Sequence, residues 1–305
     1  MLSRERMPSL LILFFIIFLL ESMTAIIGNG FIIVVLGREW VRCWILPPGD
    51  MILASLSISR FFLQCTAVFS NFYSYFSMTK KSLYVFIFWN FTNVTTFWFT
   101  TWLAVFYCVK ISSFTHPIFL WLKWRISRFV PWLLLWSLLI STLISIPFFI
   151  KGYHIAQLPI TGNYSEKTTF IDRIHTFQLH FSLPLQVFIL LTSFLFFLGS
   201  TMLLISSMCR HLGKMQHHNA GPQDPSMQVH ITALKSFFFF LIVYTSYVIP
   251  VIINTITPIS VFSFHFWAWE VVTYAGISIH PAFLILNSSK LRRTLKKMIH
   301  DLVAA

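Results

Sequence analysis

The stretch Leu10–Leu36, LLILFFIIFLLESMTAIIGNGFIIVVL, decides the fold of this 305-residue chain. It contains one charged residue, Glu21, and it is long enough to cross about 30 Å of hydrocarbon as an α-helix. Six further apolar stretches follow it, so that the predicted spans are 8–36, 49–76, 84–110, 129–150, 180–208, 232–256 and 266–288. We therefore predict an all-α membrane protein, a seven-transmembrane helix bundle that forms one domain over residues 1–305.

The composition supports a membrane location. Hydrophobic residues make up 57% of the chain and charged residues only 10%, and the mean hydropathy is +0.76. A soluble domain of this length needs more charge to cover its surface. Arg4 and Arg6 precede the first span as in a secretory signal, but the apolar run is too long for one and no small-residue cleavage site closes it. We expect the first helix to be retained.

The basic residues predict the orientation. Because the number of spans is odd, the two termini lie on opposite sides of the membrane. With the N-terminus outside, fourteen Lys and Arg residues fall on the inner side and seven on the outer side, while Arg60 lies within the second span. The positive-inside rule then favours N-out, C-in. The net charge of +13 indicates attraction to an anionic inner leaflet rather than to nucleic acid, and the basic tail 289–305 is predicted to form a small amphipathic helix.

The outer segments contain a candidate modification site but no cysteine. The longest outer connection, about 151–179, includes the glycosylation sequon Asn163-Tyr-Ser165. Each of the four cysteines falls in a predicted helix or at its cytoplasmic end, namely Cys43, Cys65, Cys108 and Cys209. An extracellular disulfide is therefore not expected.

The sequence lacks a catalytic or metal-binding constellation. His211, His217 and His218 form a single histidine-rich segment, and one such segment cannot supply the ligands of a membrane metal centre. The motifs of membrane proteases, lipases and ATPases are also missing. We predict that the protein is not an enzyme and that it uses no metal or other cofactor.

Polar residues within the spans are candidate functional residues, because burying them in hydrocarbon is costly. Arg60 lies well inside the second span and must hydrogen-bond within the bundle; Asn29 and Ser278 are its plausible partners at similar depth. The arginine is either a structural clamp or a clamp that rearranges on activation, and the two roles are compatible.

Four side chains toward the outer side are predicted to form an aromatic-walled pocket for small amphipathic ligands. Trp89 and Asn93 are four residues apart on the third span and therefore share one face. Tyr244 falls in the outer half of the sixth span, and Glu270 falls near the outer end of the seventh. Taken alone, each of these residues is more often a packing residue than a ligand contact, and for Glu270 a carboxylate that reaches water is the alternative; their convergence carries the prediction.

Short motifs occur in order from the first span to the last. They are Asn29-Gly-Phe-Ile, Leu56-Ser-Ile-Ser-Arg60, Phe106-Tyr107 with Lys110, Phe114-Thr-His-Pro117, Phe119-Leu-Trp-Leu-Lys123, Leu183-Pro184-Leu185, His230-Ile-Thr-Ala-Leu-Lys235 and His280-Pro281. No single motif is specific. In this order and spacing they resemble the bitter taste receptors, the type 2 taste receptor family of G-protein-coupled receptors, over nearly the whole chain.

The resemblance implies a multi-pass plasma-membrane receptor that binds bitter small molecules in an outer pocket and activates a gustducin-like heterotrimeric G protein, with calcium release downstream. It places ligand contacts at Trp89, Asn93, Tyr244 and Glu270. Asn29, Arg60, Ser278, His280 and Pro281 are predicted to form a network with an activation or structural role. The resemblance also implies a G-protein-facing surface that includes the basic Lys123–Arg128 loop, with Phe106, Tyr107, Lys110, Lys123, Lys214, His230 and Lys235.

One segment departs from the family pattern. The chain reads Asn287-Ser288-Ser289-Lys290 where the family usually has Gly-Asn before Ser-Lys, and we expect this change to affect the inner end of the seventh helix. Two alternatives to a bitter receptor stay open at this point. A rhodopsin-like receptor for another ligand is disfavoured by the missing outer cysteines and Asp-Arg-Tyr motif, and a small polytopic transporter by the lack of paired intramembrane charges and internal symmetry.

Overall fold

In a computed structural model, the described part of the chain forms seven long helices and one short tail helix. The structure describes residues 2–76, 83–112, 116–157, 176–217, 225–256 and 263–304. The helices are α1 (Leu2–Cys43), α2 (Pro48–Phe76), α3 (Leu83–Ile111), α4 (Pro117–Gln157), α5 (Leu183–His217), α6 (Pro225–Ile256), α7 (Phe264–Asn287) and α8 (Ser289–Ala304). A π-helical turn, Gln178–Ser182, leads directly into α5. The described residues contain no strand, and the all-α class is confirmed.

Helices α1 to α7 are each long and apolar enough to cross a membrane, which confirms the predicted seven-helix bundle. Several helices extend beyond the predicted spans: α1 continues to Cys43 and α5 to His217. Hydropathy marks only the part of a helix that lies in hydrocarbon, whereas the backbone hydrogen bonds of the helix continue into its polar ends.

The fourth helix begins at Pro117, not at residue 129 as predicted. Proline is favoured in the first turn of a helix, where its missing N–H is not needed. The basic segment Lys123–Arg128 therefore lies inside α4 and not in a loop. Only residues 112–116 separate α3 from α4.

Helix α3 occupies the centre of the bundle. It contacts α2, α4 and α5, while α1 packs against α2 and α7, and α6 contacts both α5 and α7. The main core contains fully buried aromatic side chains such as Phe97, Phe197 and Trp267. Large apolar side chains on the outside, among them Trp132 and Phe188, face the lipid.

Two glycines allow α7 to approach its neighbours closely. A Cβ atom on Gly28 would lie 2.9 Å from Cβ of Pro281, and a Cβ atom on Gly276 would lie 2.8 Å from the carbonyl oxygen of Val243. Small residues permit such close helix crossings in membrane bundles. Helix α7 is thus held tightly between α1 and α6.

One end of the bundle, which we call the α8 end, carries the junction between α7 and α8. Ser288 ends α7, and its backbone N–H donates to the Leu284 carbonyl oxygen at 2.9 Å. Its hydroxyl accepts a hydrogen bond from the backbone N–H of Leu291 at 3.4 Å. The serine in the segment that departs from the family pattern therefore caps both helices. Leu291 is buried while Arg292 and Lys296 are exposed, which confirms an amphipathic tail helix.

Candidate functional site

A hydrogen-bonded network joins α3 to α6 and α7 in the half of the bundle opposite α8. The indole N–H of Trp89 donates to the hydroxyl of Tyr274 at 3.0 Å. The hydroxyl of Tyr247 donates to Oδ1 of Asn93. Because Trp89 and Asn93 lie one turn apart on α3, two successive turns of the central helix are bonded to two different helices.

Glu270 connects this network to α2. Its carboxylate accepts a hydrogen bond from Nδ2 of Asn71 at 2.9 Å, and the side chain is partly buried. Glu270 precedes Tyr274 by four residues on α7, so the carboxylate and the Trp89–Tyr274 contact lie on the same face of that helix. Four helices therefore contribute to one polar cluster, to which three of the four predicted pocket residues belong.

Tyr244 lies deeper than the other predicted pocket residues. It is 2% exposed, its hydroxyl donates to the Phe97 carbonyl oxygen at 3.2 Å, and its ring packs on Phe197 with centroids 4.1 Å apart. The tyrosine of α6 that contacts Asn93 is Tyr247, one turn further along. Tyr244 was predicted from the sequence as the α6 residue of the pocket, and Tyr247 was not.

Two buried amide nitrogens on α3 have no hydrogen-bond partner in the described part of the chain, Nδ2 of Asn90 and Nδ2 of Asn93. Oδ1 of Asn90 accepts from Nε2 of Gln186 on α5 at 2.7 Å, and both asparagines are fully buried. A buried donor without a partner costs about 1–3 kcal/mol. An oxygen atom of a ligand or of water that accepts from these amides is therefore favourably bound.

Five members of this region were not predicted from the sequence, namely Asn71, Asn90, Gln186, Tyr247 and Tyr274. A signal existed for Asn90, because it lies three residues before Asn93 and so on the same side of α3. The two tyrosines carried no signal, since aromatic residues occur on every span of this chain.

Arg60 lies buried in the middle of the bundle and is 3% exposed. Its guanidinium contacts Nδ1 of His280 at 2.6 Å and Oγ1 of Thr100 at 3.4 Å. The prediction that Arg60 hydrogen-bonds within the bundle is confirmed. Because a guanidinium can only donate, Nδ1 of His280 is the acceptor, and the imidazole is neutral with its proton on Nε2.

The predicted partners of Arg60 were wrong. Nδ2 of Asn29 donates to the Ala25 carbonyl oxygen at 2.8 Å, and the hydroxyl of Ser278 donates to the Tyr274 carbonyl oxygen at 2.9 Å. Short polar side chains in a helix often bond the carbonyl one turn earlier on their own helix. Similar depth in the membrane therefore did not bring these side chains to the arginine.

A cavity of about 470 Å³ lies between α3, α6 and α7 toward the α8 end. His280 forms part of its lining, together with Tyr107 of α3 and the hydroxyl side chains Thr232 and Ser236 of α6. The remaining lining is mostly aromatic and aliphatic. Two predicted residues, Tyr107 and His280, thus meet at one cavity.

Four other predicted G-protein-facing residues, Phe106, Lys110, Lys123 and Lys235, lie toward the α8 end. Phe106 packs beside Gly49 of α2, and Nζ of Lys110 donates to the Lys123 carbonyl oxygen at 3.2 Å. Lys123 and Lys235 are exposed. Pro281 contacts α1 at Gly28, as described above.

Three predicted residues lie partly or wholly outside the described part of the structure. Lys214 and His230 lie within α5 and α6, and their side chains are outside the described part of the structure. The predicted glycosylation site, Asn163, lies outside the described residues altogether.

An ion-pair cluster at the α8 end was not predicted. The ammonium group of Lys290, at the start of α8, contacts Glu39 at the end of α1 and Oδ2 of Asp50 in the first turn of α2, the latter at 2.9 Å. Partial burial lowers the pKa of Lys290, and the two carboxylates act in the opposite direction. Three helix ends are therefore tied together by one lysine.

Seven membrane-spanning helices, with a polar cluster in one half and a cavity between α3, α6 and α7 in the other, define a seven-helix membrane receptor. The profile of the taste receptor protein family (TAS2R) matches residues 7–303, and the chain belongs to this family of bitter taste receptors. It is 43% identical over 297 residues to taste receptor type 2 member 134 of Rattus norvegicus, covering 97% of this chain and 89% of the relative. It is 44% identical over 292 residues to member 62 of Pan paniscus (95% and 93%) and 41% identical over 287 residues to member 16 of Homo sapiens (94% and 97%).

Family membership decides several of the expectations raised by the sequence. The chain is a multi-pass plasma-membrane receptor of the G-protein-coupled class and not an enzyme. It lies in a membrane, and receptors of its class bind small ligands and couple to a G protein. Neither the transporter alternative nor a rhodopsin-like receptor for another ligand is supported by this membership.

Proposed function

We propose that this receptor binds small bitter compounds in the half of the bundle opposite α8 and activates a gustducin-like G protein at the α8 end, with calcium release as the cellular response. The observation that carries the ligand site is a pair of fully buried, unpartnered amide nitrogens on α3, that of Asn93 in the four-helix polar cluster and that of Asn90 three residues before it, on the side of α3 that faces Gln186 of α5. Nothing in the packing of the described residues uses these two donors.

The chemistry of this region suits an amphipathic compound with an aromatic part and an oxygen acceptor. Trp89, Tyr247 and Tyr274 provide aromatic faces, and the α3 amides provide donors for a hydroxyl or carbonyl oxygen. Glu270 is the anionic anchor for an amine or hydroxyl donor of the ligand, in competition with its contact to Asn71. Tyr244, beneath them, forms the floor of the pocket and couples it to the core.

The proposed orientation is N-out, C-in, so that the α8 end faces the cytoplasm. The exposed basic residues of α8, namely Arg292, Arg293, Lys296 and Lys297, then meet the anionic inner leaflet. Lys110, Lys123 and Lys235 also lie at this end. Asn163 falls on the outer side, where we propose that it is glycosylated.

Activation follows from the arrangement of α6. An agonist shifts the equilibrium only by its greater affinity for the active state, in which the α8 end of α6 moves away from α3 and α7. This movement widens the cavity beside Tyr107 and His280 so that it accepts a helix of the G-protein α subunit. Lys235 of α6 lies beside the widened opening, and Lys214 and His230 are proposed to contact the same α subunit.

Receptor signalling in cells tests this proposal. The chain is expressed with a chimeric gustducin-type α subunit, and calcium release is recorded across a panel of bitter compounds. Asn93→Ala, Asn90→Ala and Glu270→Ala are compared with Phe188→Ala, a control on the lipid-facing side of α5 that is 66% exposed. We expect the response to at least one compound to be lost or weakened about tenfold or more in the pocket variants and unchanged in the control.

Surface labelling of each variant separates loss of binding from loss of folding. Equal potency of wild-type and pocket variants at equal surface expression contradicts the proposed ligand site. Silence of the correctly inserted wild-type receptor across the panel and with other α subunits contradicts the proposed signalling.

A further inference from the structure

A groove of about 520 Å³ runs along the lipid-facing side of α1 and α2 in the half of the bundle near α8. Its floor consists of three small residues, Gly37, Ala54 and Ser55, and Ile33 and Ile58 form part of its walls. This groove is separate from the polar cluster and from the cavity beside His280. It does not depend on the proposed ligand or G protein.

The floor of the groove is open because of Gly37. A Cβ atom at this position would have no neighbour within 4 Å, in contrast to Gly28 on the same helix, where a Cβ atom would clash with Pro281. The glycine at position 37 is therefore not needed for the packing of α1 on its neighbours. Its effect is to leave space for a flat object on the surface of the helix.

Two tryptophans form the mouth of the groove at the level of the membrane surface. Trp40 and Trp44 are 54% and 77% exposed, and their rings meet edge to face with centroids 6.4 Å apart. Trp44 follows the end of α1 at Cys43 and has a φ of 56°, in the left-handed region that bulky residues rarely adopt. Its backbone N–H donates to the Trp40 carbonyl oxygen at 2.7 Å, and this turn places the second indole over the groove.

The length of the groove matches one leaflet. The apolar segment of α1 that is long enough to span a membrane runs to Cys43, beyond the predicted end at residue 36. From Ile33 to Trp44 the groove extends about 16 Å along α1, and half of the hydrocarbon core is about 15 Å thick. The indole N–H groups at the mouth lie where amphipathic rings prefer to sit, at the boundary between the hydrocarbon and the headgroups. The occupant is therefore a lipid whose polar end is at Trp40 and Trp44 and whose apolar body reaches Ile33.

The charges around the groove favour a neutral lipid over a phospholipid. Among the described residues that line it, none is charged. Arg38 and Arg42 are two residues away from the tryptophans and so point to the opposite side of α1, and the nearby carboxylates of Glu39 and Asp50 are engaged by Lys290. A phosphate at the mouth finds no cation among the described residues that line the groove, whereas a single hydroxyl finds indole donors.

We propose that this groove binds a membrane sterol in the leaflet on the α8 side, with the sterol hydroxyl at Trp40 and Trp44 and the flat ring system on Gly37 and Ala54. A rigid ring system has few rotatable bonds to immobilise on binding, unlike an acyl chain. It also covers a floor of small side chains with continuous contact, which gives the site its preference for a flat molecule.

Photolabelling of the full-length receptor in nanodiscs tests this proposal. The probe is a cholesterol analogue that carries a diazirine on its ring system, and labelled peptides are identified by mass spectrometry. We expect saturable labelling within residues 33–58 that excess unlabelled cholesterol prevents. Gly37→Phe fills the groove without a packing clash and is expected to lower the apparent affinity about tenfold.

The matched control is Gly199→Phe. Gly199 also has no neighbour within 4 Å of its Cβ position, and it lies in a lipid-facing depression whose lining comes from α5 alone. This variant is expected to leave labelling of residues 33–58 unchanged. Trp44→Leu, at a largely exposed position, is a second variant expected to weaken labelling if Gly37→Phe fails to insert.

Three results overturn the proposal. They are labelling of residues 33–58 that excess cholesterol does not prevent, labelling that persists at equal strength in both Gly37→Phe and Trp44→Leu, and competition by phosphatidylcholine as effective as that by cholesterol. The last result assigns the groove to a phospholipid acyl chain.

Discussion

The two ends of α6 are held in the bundle by different kinds of contact. In the half opposite α8, its tyrosines make directional hydrogen bonds to α3, from Tyr247 to Asn93 and from Tyr244 to the Phe97 carbonyl. Toward α8, α6 makes aromatic and aliphatic contacts: Phe237 lies against Tyr107 at 6.0 Å and Phe240 against His280 at 4.9 Å between ring centroids, and Leu234 packs in the cluster around Met208.

The difference matters because the two kinds of contact respond differently to displacement. A hydrogen bond weakens steeply when its distance or angle changes, whereas apolar and aromatic contacts are less directional and can slide. One half of α6 is therefore fixed to α3, and the half beside the cavity can separate from α3 and α7. Three predictions test this contrast, from the largest expected effect to the smallest, and a fourth concerns the ion pairs at the α8 end.

The first prediction concerns the buried pair Arg60 and His280, which lies between the two halves of the bundle. His280→Leu leaves the buried guanidinium of Arg60 with Thr100 as its remaining described partner, and we expect the free energy of unfolding to fall by about 3 kcal/mol, because an unsatisfied buried charged group is costly. The measurement is denaturation of the purified receptor by sodium dodecyl sulfate in mixed micelles. The double variant Arg60→Leu/His280→Leu removes both partners and is expected to recover most of the loss. A double variant less stable than His280→Leu contradicts this account of the pair.

The second prediction concerns the close contact of α6 with α7. Gly276→Ala places a methyl group 2.8 Å from the Val243 carbonyl oxygen, so the two helices must shift apart at a cost of about 2 kcal/mol. The melting temperature of the purified receptor is expected to fall. Gly199→Ala, at an open position of α5, serves as the control and is expected to melt at or slightly above the wild-type temperature. Equal melting temperatures of Gly276→Ala and Gly199→Ala contradict the prediction that the close contact at Gly276 stabilises the receptor.

The third prediction tests the fixed half of α6. Tyr247→Phe keeps the ring and loses the hydrogen bond to Asn93, which we expect to cost about 1 kcal/mol and to raise basal calcium signalling, because α6 is less firmly held. Tyr244→Phe, which loses a bond to a backbone carbonyl, is expected to lower stability by a similar amount. A change in agonist potency of about fivefold or more with Tyr247→Phe, and a smaller change with Tyr244→Phe, means that the ligand contacts Tyr247. A larger change with Tyr244→Phe supports the sequence-based prediction that Tyr244 contacts the ligand.

The fourth prediction concerns the ion pairs of Lys290 at the α8 end. Lys290→Met removes both contacts to Glu39 and Asp50, but the groups are roughly one-third exposed, so we expect a loss of about 1 kcal/mol or less. The loss is expected to shrink in high salt. A larger, salt-independent loss of unfolding free energy means that the lysine acts through packing of its aliphatic chain.

Much of the fold was predictable because hydropathy along the chain is a local property. Each span could be found from its own residues, and the bitter-receptor motifs gave the family from their order and spacing. The start of α4 at Pro117 was missed because Lys123 and Arg128 read as a polar loop, although a helix can continue beyond the hydrocarbon. The polar cluster was predicted in part: Trp89, Asn93 and Glu270 lie in it, while Tyr244 lies beneath it.

What the sequence determined by itself is the number of helices, their membrane environment, the receptor family and the polar residues buried in the spans. The tertiary structure decided which of these residues meet: Arg60 with His280, Asn93 with Tyr247, and Lys290 with two carboxylates. The physical reason is that helical periodicity fixes which residues share a face of one helix. The rotation and axial shift of one helix against another are set by packing between residues far apart in the chain, as at Gly28 with Pro281 and Gly276 with Val243.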